Sequence, residues 1–161
     1  METTIGQQIA NHLRGIYFGG NWTAVSLTDK LFDVSWEQAI SKVDSFHPIA
    51  SQVFHMNYFV RATIDVLEGR ELTAKDALSF DCPEISNQMD WETMLKGSYE
   101  DAENLATLIE QLPDEQMGKT FVDEKYGSYY RCLHGPIEHC HYHLGQISII
   151  KALLAGNKSL L

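Results

Sequence analysis

The apolar residues of this chain recur at the period of an α-helix, and this periodicity limits the possible folds more than any other feature. In the first such segment, four apolar residues fall on one helical stripe because they lie four, eight and eleven positions apart. They are Ile5, Ile9, Leu13 and Ile16. The spacing predicts a helix from Thr4 to about Phe18, ended by the Gly19-Gly20 pair. Few stretches alternate as strands do, so the sequence predicts an all-α protein.

Three later segments show the same period. They predict long helices from Pro48 to Gly69, from an Asp90 N-cap to about Leu112, and over a last segment that ends at Leu154. A shorter helix is predicted after Ser35, with Gln38 completing a capping box. The connections between the long helices are long for a compact domain, which indicates crossings from one end of a helical bundle to the other. The length of 161 residues predicts one domain over residues 1–161.

The start of the last helix has two readings. Ser128 is a suitable N-cap, but Pro136 then lies inside the helix and removes the hydrogen bond to the carbonyl of Cys132. Gly135-Pro136 is the alternative entry. We favour the longer helix, with a kink at Pro136.

Composition excludes several classes of partner. Twelve Lys and Arg residues against 22 Asp and Glu residues give a formal net charge of −10, which repels nucleic acid and anionic membrane surfaces. No apolar run is long enough for a transmembrane helix, and no signal peptide is visible. The three cysteines are few and odd in number, which argues against a disulfide framework. These features predict a cytoplasmic protein with a small-molecule substrate and no nucleic-acid or membrane partner.

Histidine is unusually frequent in this chain. There are seven, and four of them lie between residues 134 and 143. A helix turns by about 100° per residue, so His143 lies about 40° from His139, on the stripe of apolar residues that faces the core. His134 and His141 lie about 200° from it and are predicted to face outward. The pair at i and i+4 therefore points inward, in the arrangement that allows two imidazoles to bind one metal ion.

A third inward histidine is predicted on the helix that begins at Pro48. His55 lies at the edge of the apolar face of that helix, turned toward the bundle. Three histidines from two helices match a metal site that leaves a coordination position open for water or substrate. The alternative is that the inward histidines are hydrogen-bonded core residues. Cys140 follows His139 where a zincin protease would have Glu, so that class is excluded, and Cys140 is predicted to be a core residue.

The chain resembles the DinB/YfiT-like superfamily over nearly its whole length, and two segments carry the resemblance. LHGPIEHCHYHLGQI resembles the last-helix motif of the family, and VFHMNYFVRATIDVLEG resembles its second-helix motif. The resemblance implies a four-helix bundle with long crossover connections that holds a divalent metal, Zn or Ni, by His55, His139 and His143. It also matches Gln146, a residue that would contact a ligand histidine or line the pocket. Better-studied members are metal-dependent transferases and isomerases that use a low-molecular-weight thiol.

These observations favour a metal-dependent enzyme, either an S-transferase that uses a low-molecular-weight thiol or a hydrolase that uses water. No catalytic side chain is assigned, because Glu138 points away from His139. Two other classes stay open: a metal- or ligand-binding protein without turnover, and a helical bundle that works as a homodimer.

Overall fold

Six α-helices form most of the protein in the computed structural model, which describes residues 3–156. They are α1 (Ile5–Phe18), α2 (Leu27–Leu31), α3 (Trp36–Ile40), α4 (Ile49–Leu67), α5 (Gln88–Glu110) and α6 (Tyr129–Leu154). The described residues contain no β-strand, only isolated bridges, so the all-α prediction is confirmed. Within 3–156, every helix falls short of the length and apolarity needed to cross a membrane.

Local capping explains where the predicted helices begin and end. Thr4 accepts a hydrogen bond from the Gln7 backbone N–H, and the Gln7 side chain accepts one from the Thr4 N–H, which completes a capping box at the start of α1. Ser35 and Gln38 form the same box at the start of α3, as predicted. After α1 the chain turns at Gly19, whose φ of 104° favours glycine because this residue has no Cβ.

One predicted helix start was wrong, and one short helix was not predicted. The N-cap of α5 is Asn87, whose side chain accepts from the Asp90 N–H, so Asp90 lies inside the first turn. The Asp90 carboxylate instead accepts from the Ser86 N–H, four residues before it. The helix α2 was not predicted, because it has only five residues. Its signal is Ser26, which caps the Asp29 N–H.

The last helix is the longer of the two alternatives, as favoured. Ser128 is the N-cap and accepts from the Arg131 N–H. Pro136 lies inside α6 and has no N–H, so the carbonyl of Cys132 lacks its usual intrahelical donor. The helix continues through this position, so His139 and His143 belong to the same helix as the residues before Pro136.

The four long helices contact one another in a closed cycle. α5 packs against α1 and α4, and α6 packs against the same two helices. α1 runs antiparallel to α5, since Gly6 lies beside Ile109 whereas Arg14 pairs with Glu103 farther along. α4 runs antiparallel to α6, since Gln52 contacts His143 and His55 contacts His139.

A buried apolar core lies between these helices. Trp91 is fully buried and its indole N–H donates to the carbonyl of Val34 at 2.9 Å, which ties α5 to the segment between α2 and α3. On the opposite side, α1 and α5 approach so closely that a Cβ at Gly6 would lie 2.6 Å from the Ile109 carbonyl oxygen. Only glycine permits that separation, because real Cβ atoms do not approach backbone oxygen so closely.

We therefore expect Gly6→Ala to destabilise the protein, by about 1–3 kcal/mol, because the new methyl group must push α1 away from α5. Helix propensity alone predicts the opposite sign, since alanine is favoured over glycine by up to about 1 kcal/mol. Gly97→Ala in α5 is the matched control, as a Cβ there meets no atom within 4 Å. Urea unfolding of both variants measures the difference, and equal stabilisation by the two substitutions would contradict the close packing.

Candidate metal centre

Three histidines from two helices meet at one point. The Nε2 atom of His139 lies 2.9 Å from Nε2 of His55 and 3.0 Å from Nε2 of His143. One nitrogen from each residue lies within 4.8 Å of the other two. The helices α4 and α6 are antiparallel. His55 in α4 faces the space between His139 and His143, which lie one turn apart in α6. The structure thus brings together the three residues that the sequence selected.

The site is enclosed by aromatic rings. Only 9% of His55 and 6% of His143 is exposed to solvent, whereas His139 is half-buried. The Phe80 ring stacks on His55 at 3.9 Å between centroids and an angle of 8°. Phe59 meets His55 and His139 edge-on at 5.2 and 5.1 Å. These rings keep water from most of the cluster and restrict rotation of the imidazoles.

Two glutamines determine which nitrogen of His143 carries the proton. The Oε1 atoms of Gln52 and Gln146 each lie 3.2 Å from Nδ1 of His143. The orientation of Gln52 is defined because its Nε2 donates to the carbonyl of His47 at 3.1 Å. Both contacts to His143 are therefore carbonyl acceptors, so Nδ1 bears the hydrogen and Nε2 presents its lone pair to the cluster.

Two separate hydrogen bonds do not account for both contacts of His139. An imidazole nitrogen has either one N–H or one in-plane lone pair, so two hydrogen bonds at Nε2 of His139 would have to share it, as the two glutamines share the Nδ1–H of His143 at the longer distance of 3.2 Å. A metal ion is an alternative partner, since either pair of nitrogens, 2.9 or 3.0 Å apart, can lie about 2.1 Å from one cation. All three nitrogens lie within 4.8 Å of one another, so binding by all three requires the widest pair to lie no more than about 4.2 Å apart. Neutral imidazoles with converging lone pairs are the usual ligands of divalent transition metals. The donor set therefore fits a divalent ion.

Burial keeps the cluster uncharged. Loss of hydration lowers the pKa of His139 to about 4, and the neighbouring His143 and His55 add to the shift. The same cause lowers the pKa of His143 to about 4. The pKa of His55 is also lowered by burial, with a small opposing effect from the Ser79 backbone and from Asp76. All three are thus in the neutral form that binds metal.

The remaining nitrogen of His55 is unusual. Its Nδ1 atom is buried and forms no hydrogen bond of good geometry within residues 3–156, although the Ser79 backbone lies close enough to act on the pKa of His55. Histidines that bind metal mostly donate this second N–H to an acceptor, which orients the ring. Here the stack on Phe80 provides the orientation, and Phe80 in turn stacks on His47 at 4.2 Å.

The other candidate residues lie outside the cluster. Nδ1 of His134 donates to the carbonyl of Tyr130 at 2.9 Å, and neither His134 nor His141, both half-buried, belongs to the group of three histidines. Cys140 is fully buried toward α1, where its Sγ lies 3.5 Å from the Tyr17 hydroxyl. Burial raises the pKa of Cys140 to about 12, so it stays a thiol and does not serve as a ligand.

Two clefts flank α4, and the smaller one reaches the histidines. The larger, about 730 Å³, lies between α4 and α5 and is not lined by any of the three. The smaller, about 470 Å³, is lined by His139 and lies between α4, α6 and the two long connections. Its size is typical of small-molecule sites. We therefore assign the access route to the cluster to the 470 Å³ cleft.

Sequence reasoning missed several residues that shape this site. Gln52 lies three residues before His55 and hence on the same helix face, so the helical wheel that selected His55 could have included it. Phe80 and Asp76 lie in the connection between α4 and α5. No periodic pattern there indicates which side chains return to the core.

Comparisons with known proteins do not add to these observations. No family model matches the chain, and no curated protein or solved structure matches it at a significant level.

The pKa shifts predict how stability depends on pH. His139 and His143 have a pKa of about 4 in the folded protein, against about 6.5 ordinarily, so the unfolded chain binds more protons between these values. The stability of the metal-free protein is therefore full above pH 6.5 and decreases as the pH falls toward 4. Urea unfolding in the presence of a chelator, repeated across this range, measures the effect.

The control is the double variant His139→Gln and His143→Gln, which lacks both groups. We expect a shallower loss of stability between pH 6.5 and 5, a range above the titration of most carboxyl groups. Identical pH dependence in the two proteins would show that the histidines are not held neutral by burial.

Proposed function

We propose that this protein is a divalent-metal-dependent enzyme of the DinB/YfiT-like superfamily, with His55, His139 and His143 as the metal ligands. The observation that carries the proposal is the pair of short contacts at Nε2 of His139, at 2.9 and 3.0 Å, which as hydrogen bonds would have to share one proton or one lone pair. Zinc and nickel are the expected metals, since both accept imidazole ligands.

The arrangement of the helices supports the class. A four-helix bundle requires each long helix to pack on two others, and the contacts of α1, α4, α5 and α6 satisfy this requirement. The bundle places facing side chains of antiparallel helices in its interior, where cofactor sites of such proteins are built. The two segments that resemble superfamily motifs lie in α6 and in the part of the chain that forms α4, the helix that carries His55.

A divalent ion in this site would act as a Lewis acid, lowering the pKa of a bound water or thiol toward neutrality. The residues of the chain have other tasks. Gln52 and Gln146 hold the His143 ring with Nε2 turned inward. Phe59 and Phe80 exclude bulk water, and His139 is the ligand that borders the cleft.

The nucleophile is expected to come from outside the chain. Cys132 lines the same cleft, but burial raises the pKa of its thiol, and its Sγ donates to the carbonyl of Tyr126 at 3.3 Å. A protein thiolate is therefore disfavoured. Water or a low-molecular-weight thiol remains, so the reaction is either hydrolysis or S-transfer to a small electrophile.

Purified protein is expected to contain one equivalent of zinc or nickel after growth in metal-replete medium. His139→Ala and His143→Ala should each reduce this content to well below half an equivalent, since two remaining imidazoles hold an ion weakly. His134→Ala is the matched control from the outer face of α6 and should retain the metal. Elemental analysis after dialysis measures the content.

The outcome that refutes the metal proposal is a protein that stays metal-free under replete conditions. If metal binds, hydrolysis of activated esters or amides and conjugation of thiols to electrophiles are assayed with the loaded protein. Turnover that disappears in His139→Ala and persists in His134→Ala supports an enzyme. Full metal loading without turnover in either assay would indicate a metal-binding protein that is not an enzyme.

Gln52→Met provides a test of the positioning role. The substitution keeps the volume and removes one of the two acceptors at Nδ1 of His143, while Gln146 remains, so we expect metal affinity to fall by about 10-fold. Gln52→Glu retains a carbonyl-type acceptor and should recover much of the affinity. Competition with a chromophoric chelator gives the dissociation constants. An unchanged constant for Gln52→Met, with unfolding that resembles the native protein, would exclude the role.

A further inference from the structure

The larger cleft, between α4 and α5, lies apart from the histidine cluster and has its own chemistry. Its volume of about 730 Å³ is within the range of small-molecule sites, and the connection between the two helices contributes to its walls. Apolar side chains supply most of the lining, among them Phe54, Ile85 and Met94. None of the three histidines lines it, so a ligand here would bind away from the proposed metal centre.

The charged residues that line this cleft are mostly acidic. They are four carboxylates and one guanidinium: Asp65, Glu84, Asp90, Asp101 and Arg61. Among the described residues, only Asp65 of these four acids forms a close ion pair, at 2.6 Å with Arg70. The lining therefore keeps an excess of negative charge, which favours a cationic ligand.

Asp101 is the carboxylate best placed to contact such a ligand. Its side chain is only 28% exposed, and its Oδ2 accepts from Nδ2 of Asn57 at 2.9 Å. The Arg61 Nε atom approaches the same oxygen only to 3.8 Å, which is too far for a hydrogen bond. Within residues 3–156 the other oxygen, Oδ1, has no hydrogen-bond partner. Asp101 is thus held in place and still has an acceptor to offer.

Asn57 offers a second acceptor. Donation from Nδ2 to Asp101 fixes the orientation of the amide, and Oδ1 is then buried without a donor in the described part of the chain. Buried amide oxygens are almost always paired, so this one indicates a missing donor. Two long wall side chains, Arg61 and Met89, are 70% and 71% exposed, and their movement would allow a ligand N–H group to reach it.

An aromatic ring lies on the same wall. The hydroxyl of Tyr58 accepts from the Lys75 backbone N–H at 2.8 Å, which restrains the ring, and Phe54 lies one turn before it with ring centroids 6.5 Å apart. Aromatic faces attract organic ammonium ions. A metal ion is the less suitable occupant, since in residues 3–156 the group of possible metal ligands is the histidine cluster and includes no residue of this cleft.

We propose that the cleft between α4 and α5 is a second ligand site, which binds an organic ammonium ion that carries an apolar group. Asp101 is its charge partner, the amide of Asn57 accepts a further N–H, and the apolar lining covers the rest of the molecule. This inference goes beyond the proposed function and does not depend on it, because no metal ligand lines the cleft.

The test uses three probes of similar shape and different charge at neutral pH: 2-phenylethylammonium, 2-phenylethanol and phenylacetate. Each is titrated into the purified protein, and binding is followed by the backbone amide NMR signals of Thr73, Thr93 and Gly97, which line the cleft. We expect the ammonium to bind about fivefold more tightly than the alcohol, the factor typical of one partly exposed charge interaction. Phenylacetate should bind more weakly than either.

Asp101→Asn should reduce the preference for the ammonium to below about twofold, while it keeps an oxygen that accepts from Asn57. Glu100→Gln is the matched control: it removes the same charge from the next residue of α5, which is exposed and does not line the cleft. It should leave the preference unchanged. Arg61→Gln removes the competing cation, so the ammonium should bind at least as tightly to this variant.

Three results would overturn the proposal. One is equal binding of the three probes, and another is an ammonium preference that survives in Asp101→Asn while urea unfolding shows an intact protein. The third is tighter binding of phenylacetate that is lost in Arg61→Gln, which would make the cleft an anion site.

The variant His139→Ala separates this proposal from the metal-dependent function. We expect it to lose the metal and to bind the ammonium in the cleft as the native protein does. Protein that holds one equivalent of metal and shows no charge preference refutes the second site alone. Protein without metal that retains the Asp101-dependent preference refutes the metal-dependent function, while the second site stands.

Discussion

Three imidazole nitrogens that point at one another inside a helical protein impose the strictest requirement on this structure. Protonating one of the three places a positive charge in a poorly hydrated space, and protonating a second brings two charges together, which is why the pKa values of His139 and His143 lie near 4. The arrangement is stable only if surrounding groups keep the rings neutral, oriented and shielded. The antiparallel packing of α4 on α6, the aromatic enclosure and the glutamines behind His143 all serve that condition.

The long connections contribute as much to the site as the helices do. The connection between α4 and α5 supplies Phe80, which stacks on His55, and Asp76, which faces the cleft. The connection between α5 and α6 supplies Phe121 and Tyr126. Without these connections, the cluster would be exposed along the groove between α4 and α6. The two crossings close part of that groove, and the remaining opening borders His139.

Helix positions were predictable wherever a local signal was complete. Thr4 with Gln7 and Ser35 with Gln38 specify their own turns, since both partners of each hydrogen bond lie within four residues. Asp90 misled the prediction, because a capping residue and a residue in the first turn share the same preference for Asp. The inward direction of His55, His139 and His143 also followed from helical spacing, as each lies on the apolar stripe of its own helix.

The sequence by itself determined the all-α class, the faces of the helices and the histidines that point inward, because these depend on spacing along a single helix. Only the tertiary structure decided that α4 and α6 place those histidines at 2.9 and 3.0 Å, which requires the register between two helices far apart in the chain. It also decided that Gln52 contacts His143 and that Phe80 covers His55. Such contacts arise from packing between distant segments, and no periodicity within either segment encodes them.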